Sequence, residues 1–402
     1  MRVALAVLVG KLLRFVIRAF RRGGGSALPG LVASKIAPRL LPKAIASCPM
    51  GLVVVSGSAG KSSTTHHLVA LLEGHGLKVF TNPSTANIRQ GLFAAVLKEV
   101  NLLGEMSFDI AVLEWDEGHG AAIANEVEIN LAVLTNVLSD QLDRFVDPEM
   151  VAQKLAVIAN RAKSVVVNAD DKNLTQLVVN HSDVIGYGLS EAFLKSDQAP
   201  RYALNFGPEP EISKSIKVFR GEKFTISSEL GAFDTEVDSA ELALNYAAAL
   251  SAASRLTALD STKVTGLFAE RKGVFARNET SLIFGKNVNL RLVQNPTSFQ
   301  LNLDEISGEE SPLMLMAGRD IHDPSWLWTV DFTRLKKVHV VSGYNAYELA
   351  LRLSVAGVEI ESVVPEIADA TKRFFELEGD KPTILFSADA MRRFRRHTKV
   401  AK

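Results

Sequence analysis

Residues 53–65 read VVVSGSAGKSSTT: an apolar, β-branched run, a turn of small residues, then Lys61-Ser62-Ser63-Thr64-Thr65 opening a helical stretch that continues through HHLVALLEGHG. A strand that turns directly into a helix leaves the first N–H groups of that helix without intrahelical partners and facing whatever occupies the turn. Gly57 and Gly60 let the backbone approach an anion with no Cβ in the way. Lys61 can reach terminal phosphates, and the Ser62 hydroxyl suits Mg²⁺. Gly57, Ser58, Gly60, Lys61, Ser62 and Ser63 are therefore the candidate phosphate-binding residues, and the chain is expected to use ATP with Mg²⁺. The spacing is shorter than in the common P-loop, because the position five before the Gly-Lys pair is Val55, still inside the strand. The match is to G-x-x-G-K-S, and an ordinary glycine turn is the competing reading for the loop taken alone.

Beyond the loop, apolar strand-like runs alternate with helical stretches: KVFTN, NIRQGLFAAVLKEVNLL, DIAVLEW, NLAVLTN, VAQKLAVIANRA and SVVVNADD. That order predicts a parallel sheet covered by helices on both faces, with ligands at the carboxyl ends of its strands. Residues 190–240 carry shorter runs, SIKVFRG and KFTISSE, expected to be antiparallel, and the helix SAELALNYAAALSAASRL closes the section. A second α/β unit is expected past Arg277, through NLRLVQNP, SPLMLMAGR, KKVHVVSG, NAYELALRLSVAG, EIADATKRFFELE and PTILFS. The basic terminus RRFRRHTK reads as a solvated final turn. Trp115, Trp326 and Trp328 read as core residues, the latter two with a second reading at a partner interface. His66 and His67 read as packing or surface residues.

Composition narrows the function classes. The 402 residues suffice for two or three domains, and 45 basic residues balance 45 acidic ones, so no global field attracts nucleic acid or an anionic membrane. Cys48 is the only cysteine, which excludes an internal disulfide and a multi-cysteine metal site and fits a reducing cytoplasm. At the amino terminus, RVALAVLVGKLLRFVIRAFRR is too short in its apolar run and too interrupted by Lys11, Arg14 and Arg18 to span a bilayer. It is expected to be an amphipathic helix, either packed on the body of the protein or resting on a membrane surface.

The loop and the segments after it resemble the Mur ligase superfamily, whose members join an amine to a carboxylate through an acyl phosphate made from ATP. Glu114, in VLEWDEG, stands at the place of the family's metal-binding glutamate. NVLSDQLDR at 136–144 is similar to its N-x-x-x-D-H-L-D-R, and NADD at 168–171 to the strand end that follows. Gln141 stands where Mur ligases proper have a histidine, and D-Q-L-D-R instead resembles the MurT family. So do SALPG near the amino terminus, NPSTAN at 82–87, FARNE at 275–279, LVQNPTSF at 292–299 and DIHDPSWLWTVDF at 320–332.

The resemblance implies a Mur ligase-like central P-loop domain, its parallel sheet flanked by helices, over residues 49–278. A helical lead-in (1–48) would precede it, and a smaller Rossmann-like α/β domain (279–402) would follow. It implies ATP-dependent amidation of the D-glutamate α-carboxylate in the lipid II stem peptide, at the inner face of the membrane, with ammonia supplied by a GatD-like glutaminase in a heterodimer. Lys61 and Glu114 would be catalytic, Ser62 and Glu114 would hold Mg²⁺, Asn245 would meet the adenine and Arg277 the phosphates. Asp323 would orient the partner's catalytic histidine; a helix cap ahead of Pro324-Ser325-Trp326 is its other reading. Lys154 lies near the family's carbamylated lysine but reads as a solvent-facing helical lysine. Several positions depart from the pattern: no cysteines at 190–240, so that no zinc is expected, and Gln294, Leu242, Ala276 and Thr329 in place of the usual residues. A Mur-like amino acid ligase and a noncatalytic nucleotide-binding scaffold are the alternatives.

Overall fold

A computed structural model describes the chain apart from residues 1, 21–27, 84–85, 139–147, 197–198, 201, 206, 238, 270–276, 294–295, 307–309, 322–323 and 399–402. Gln141, Ala276, Gln294 and Asp323 lie outside the described residues, as does the side chain of Arg277. The chain divides into two compact units, Met1–Ser139 with Asp147–Arg271, and Asp140–Val146 with Lys272–Lys402.

The first unit opens with helices α1 (Arg2–Phe20), α2 (Leu28–Ile36) and α3 (Leu40–Ala46); α1 packs on α2, and all three pack on α5 (Arg89–Glu99). Its sheet comprises β1 (Leu52–Ser56), β2 (Val79–Thr81), β3 (Ile110–Glu114), β4 (Ile129–Leu134), β5 (Ala162–Asn168), β6 (Val184–Leu189), β7 (Lys214–Arg220), β8 (Phe224–Ser228) and β9 (Gly231–Thr235). The order is β2-β3-β1-β4-β5-β6-β7-β8-β9. The first seven strands in that order run parallel, and β8 and β9 complete an antiparallel meander, as the shorter runs at 190–240 predict.

Every residue of β1 is buried, consistent with a strand covered on both faces. Val53 and Val55 meet Leu68, Leu71 and Leu72 of α4 (Lys61–Gly74) and the alanine-rich helix Ala240–Leu256 in one core. Small residues at Ala243, Ala247, Ala248 and Ala252 bring that helix close to the sheet, and its N-cap Ser239 accepts a hydrogen bond from Leu242 N–H. The register sets Val55 opposite Glu114 and Ser56 opposite Leu134. The ends of β1, β3 and β4 thus meet where the chain passes from β1 into α4.

The second unit carries a sheet of order β10-β11-β15-β12-β13-β14, formed by β10 (Arg277–Ile283), β11 (Lys286–Leu292), β12 (Leu313–Met316), β13 (Lys337–Ser342), β14 (Glu359–Val364) and β15 (Thr383–Phe386). All pairings are parallel except the β10–β11 hairpin. Phe284 (φ 47°) and Gly285 (φ 81°) form its two-residue turn, with both φ positive as a tight hairpin requires. Two apolar clusters cover its faces, one around Leu315 and Val341, the other around Met314 and Ile384.

The carboxyl-terminal expectation needs correcting. Residues 392–398 of that terminus belong to a helix, Ala388–Thr398, that buries Ala390, Phe394 and Arg395; the Phe394 ring lies 5.9 Å from that of Phe386. Apolar Ala390, Met391 and Phe394 recur at helical spacing beneath the charges, and burial of that stripe outweighs the polarity of the remainder. Trp115 fills the core as expected and Trp326 packs edge-on against Phe299, but Trp328 is 49% exposed, beneath the guanidinium of Arg352.

Candidate functional site

The turn after β1 is tied to its surroundings by its own backbone. Ser58 N–H donates to the Asn136 carbonyl (2.9 Å) and Ala59 N–H to Asn136 Oδ1 (2.8 Å), so one residue beyond β4 clamps two successive amides. Thr135 Oγ1 donates to the Ala59 carbonyl (2.6 Å), and Ser58 Oγ accepts from Leu138 N–H (3.1 Å). Ser58, a candidate ligand from its place in the loop, thus commits one hydroxyl lone pair to the neighbouring segment.

Gly57 has φ +135°, and a Cβ there would lie 2.2 Å from Thr135 Oγ1; Gly60 has φ +81°, and a Cβ there would lie 2.2 Å from Asn245 Oδ1. Only glycine satisfies both the left-handed backbone and the lack of space. Gly60 is the N-cap of α4 and offers no side-chain cap, which leaves the helix start open toward the turn. Ser63 is buried in that first turn and Ser62 half-buried.

Lys61 folds back over the loop. Its Nζ donates to the carbonyls of Gly57 and Ser58 and sits 2.8 Å from Glu117 Oε1. Lys61 is 13% exposed and Glu117 1% exposed, so the pair is held out of water. Glu117 Oε2 is buried and has no hydrogen-bond partner among the described residues. A half-satisfied buried carboxylate beside a helix start suits a cation or an ordered water. Glu117 opens the helix Glu117–Ile123, capped by Asp116 accepting from His119 N–H.

Glu114 ends β3, 4% exposed. Asn82 brackets its backbone, accepting from Glu114 N–H (2.9 Å) and donating to its carbonyl (3.0 Å), while Asn87 Nδ2 reaches Glu114 Oε1 at 3.4 Å. The two asparagines of NPSTAN therefore position the acid-bearing strand end. Asn245 comes to the same loop from the helix Ala240–Leu256, where its Oδ1 accepts from Thr64 Oγ1 (3.3 Å).

A second layer supports this one. Asp171 Oδ2 accepts from Val137 N–H (2.6 Å) and Oδ1 from Asn173 N–H (3.0 Å), fixing the segment that carries Asn136. Burial outweighs those hydrogen bonds and raises the Asp171 carboxyl to about 6. Below about pH 4 this acid is protonated whether folded or unfolded. As pH rises to about 6, only the unfolded chain gives up the proton, so the group's contribution to stability falls across that window. We expect the unfolding free energy of wild type minus Asp171→Asn to decline from about pH 4 to about pH 6 and to be flat above it. Denaturant titration of both proteins at several pH values checks this; a difference that does not vary with pH contradicts it.

The remaining candidates fall elsewhere. Arg277 begins β10 of the second unit, opposite Arg291 in register. Lys154 is exposed on its helix, in line with the solvent-facing reading. His67 stacks on Tyr246 at 3.7 Å, and burial, aided by nearby His66, lowers it to about 3, a neutral packing ring. Cys48 is buried, and burial followed by the charge of Asp109 pushes its thiol up to about 11. The sequence reading did not single out Glu117, Asn82, Asn136 or Asp171 individually. All four lie in segments quoted there, Glu117 within VLEWDEG, where only Glu114 carries an assigned role.

With this geometry in view, comparison with known proteins gives a consistent result. A family model of the Mur ligase middle domain matches residues 55–252, and one described as MurT ligase C-terminal matches residues 292–391. The chain is 25% identical over 416 residues to the lipid II isoglutaminyl synthase (glutamine-hydrolyzing) subunit MurT of Staphylococcus aureus (strain COL), covering 94% of each. It is also 25% identical to the protein of that name from Streptococcus pneumoniae (strain ATCC BAA-255 / R6), covering 90% of this chain and 89% of the relative. Among solved structures, MurF from Acinetobacter baumannii superposes with a TM-score of 0.69 at 13% identity, over 91% of this chain and 80% of that one. A pseudomurein peptide ligase type C from Methanothermus fervidus gives 0.64 at 17%, over 87% and 78%. The structural matches establish the α/β fold.

Proposed function

We propose that this chain, which belongs to the MurT-type proteins of the Mur ligase family, is the ATP-using subunit of an enzyme that amidates the D-glutamate α-carboxylate of lipid II. The reading rests on one observation above others: Lys61, the acid-bearing end of β3 and Asn245 converge on a single glycine loop.

A carboxylate resists ammonia because its leaving group would be oxide. Attack of a carboxylate oxygen on the γ-phosphorus expels ADP and forms an acyl phosphate. Ammonia then adds at the acyl carbon, phosphate leaves, and the surplus proton passes to solvent. Such a transfer asks the protein chiefly for positioning and for charge to offset the phosphates. Lys61 and the amino-terminal end of α4 supply that charge, and the fixed loop supplies the position. Gly57, Gly60 and Ser63 would line the cradle, with Asn245 at its adenine side; Arg277 would meet the phosphates, as the family resemblance implies. Ser62 and Glu114 would hold Mg²⁺, which neutralises phosphate charge; the orphan oxygen of Glu117 suits the same electrostatics.

Ammonia has to come from elsewhere. The only thiol in the chain is buried and held in its neutral form, unsuited to nucleophilic attack on glutamine. A glutaminase partner of the GatD kind fills that need, and the region 292–391 is the proposed contact, with Asp323 orienting the partner's histidine.

The test combines the chain, the candidate glutaminase, ATP, Mg²⁺ and purified lipid II, with glutamine or ammonium as nitrogen source and mass spectrometry of the product. Amidated lipid II from ammonium without the partner assigns the ligase step to this chain. Addition of an amino acid in its place, or nucleotide binding with no turnover, would select an alternative. Asp323→Asn should leave ammonium-driven turnover within about twofold and lower glutamine-driven turnover by roughly 10²-fold or more. Equal loss of both rejects the orienting role.

A further inference from the structure

Helix α1 has two unlike sides. Ala6, Val7 and Gly10 are buried; Gly10 approaches α5 so closely that a Cβ would lie 2.7 Å from Leu97 Cδ1, and Lys11 Nζ donates to the Val100 carbonyl at 2.8 Å. Wound at 3.6 residues per turn, Leu5, Leu8, Leu12, Phe15 and Val16 fall on the opposite side. They are 53%, 55%, 64%, 72% and 40% exposed. The turn that abuts α1 at Val3, where a Cβ on Gly104 would come within 2.6 Å of Val3 Cγ1, exposes two more large apolar residues, Leu102 and Leu103.

Charge identifies the occupant. Residues 1–72 contain no aspartate or glutamate, whereas Arg2, Lys11, Arg14, Arg18, Arg21, Arg22, Lys35, Arg39 and Lys43 all fall within the first 43. In a chain whose net charge is zero, this is a strong local excess. Two copies meeting stripe to stripe would bring like charges together with no acid in the segment to offset them. An anionic lipid surface instead offers apolar acyl chains to the leucines and phosphates to the lysines and arginines. No helix among the described residues is long and apolar enough to cross a membrane, so contact would be along the surface.

We propose that α1 docks the protein on an anionic bilayer, its Leu5-Leu8-Leu12-Phe15-Val16 stripe entering the headgroup layer and the net positive charge of the amino-terminal segment drawing it to lipid phosphates. The inference deepens the reading above, since a lipid-linked substrate would then be met at its own surface, but it rests on the helix and not on the nucleotide site.

The test is sedimentation of the full chain with vesicles of phosphatidylcholine containing about one third phosphatidylglycerol, and with phosphatidylcholine alone. Binding to the anionic vesicles, weakening as salt rises, is expected. Leu12→Gln with Phe15→Gln should lower the partition coefficient about tenfold or more. Both positions are exposed, so the fold is expected to survive; unchanged thermal unfolding and nucleotide affinity verify that. Equal sedimentation of wild type and variant, no binding by wild type, or equal binding to neutral vesicles would each overturn the proposal. So would a vesicle-free dimer that the double variant abolishes, which would make a second copy the occupant. Turnover of micellar lipid II by a protein that ignores vesicles defeats this inference alone, whereas vesicle binding without ATP-dependent turnover defeats the ligase reading alone.

Discussion

Replacing Lys61 with alanine is expected to lower ammonium-driven amidation by roughly a thousandfold while leaving the chain folded. Two contributions favour an effect of this size. The ammonium lies over the loop, bonded to two of its carbonyls, and it works in a site nearly closed to water, where charge is poorly screened. The substitution also strands Glu117, whose carboxylate would then face the triphosphate without its lysine counter-charge. Lys61→Ala,Glu117→Gln should therefore recover part of the nucleotide affinity lost in Lys61→Ala, though little of the turnover. Initial rates with ammonium, alongside binding of a fluorescent ATP analogue, provide the measurement. Turnover within tenfold of wild type would show that the loop does not carry the transfer.

The second large effect is expected at Gly60. Valine there would have to hold φ near +81° and place a Cβ 2.2 Å from Asn245 Oδ1. A β-branched residue in that region of φ/ψ space costs on the order of 1–3 kcal/mol, and Asn245 must move as well. Nucleotide affinity should fall by at least about tenfold, with a melting temperature lower by several degrees. Gly76→Ala is the matched control: its φ is +89°, but no atom lies within 4 Å of the added Cβ. It should lose a little stability and keep its nucleotide affinity. Equal affinity in Gly60→Val and wild type would place the nucleotide elsewhere.

Much of the first unit was legible because its signals are local. The runs VVVS, IAVLE and INLAVL declare buried parallel strands by β-branched content, and G-S-A-G-K-S declares the turn by residues that tolerate positive φ. What escaped was non-local. Glu117 looks like any acid near a helix start until parallel pairing sets Val55 beside Glu114 and brings Lys61 within 2.8 Å. Asn136 was recognised as part of a segment, but its double hold on Ser58 and Ala59 depends on β4 lying next to β1. The strand RNETSLI went unmarked because its weak alternation gains meaning only from pairing with β11. In RRFRRHTK, charge density hid the apolar stripe that packs Phe394 beneath the sheet.

The clamp by Asn136 also bears on how a ligand is received. With Ser58 and Ala59 held by Asn136, the Ala59 carbonyl held by Thr135, and Asn136's own segment fixed by Asp171, the turn has already given up its conformational freedom during folding. A nucleotide entering it would order little backbone, so calorimetry should report a small entropic penalty. The main rearrangement left is exchange of the Lys61 ammonium from carboxylate to phosphate.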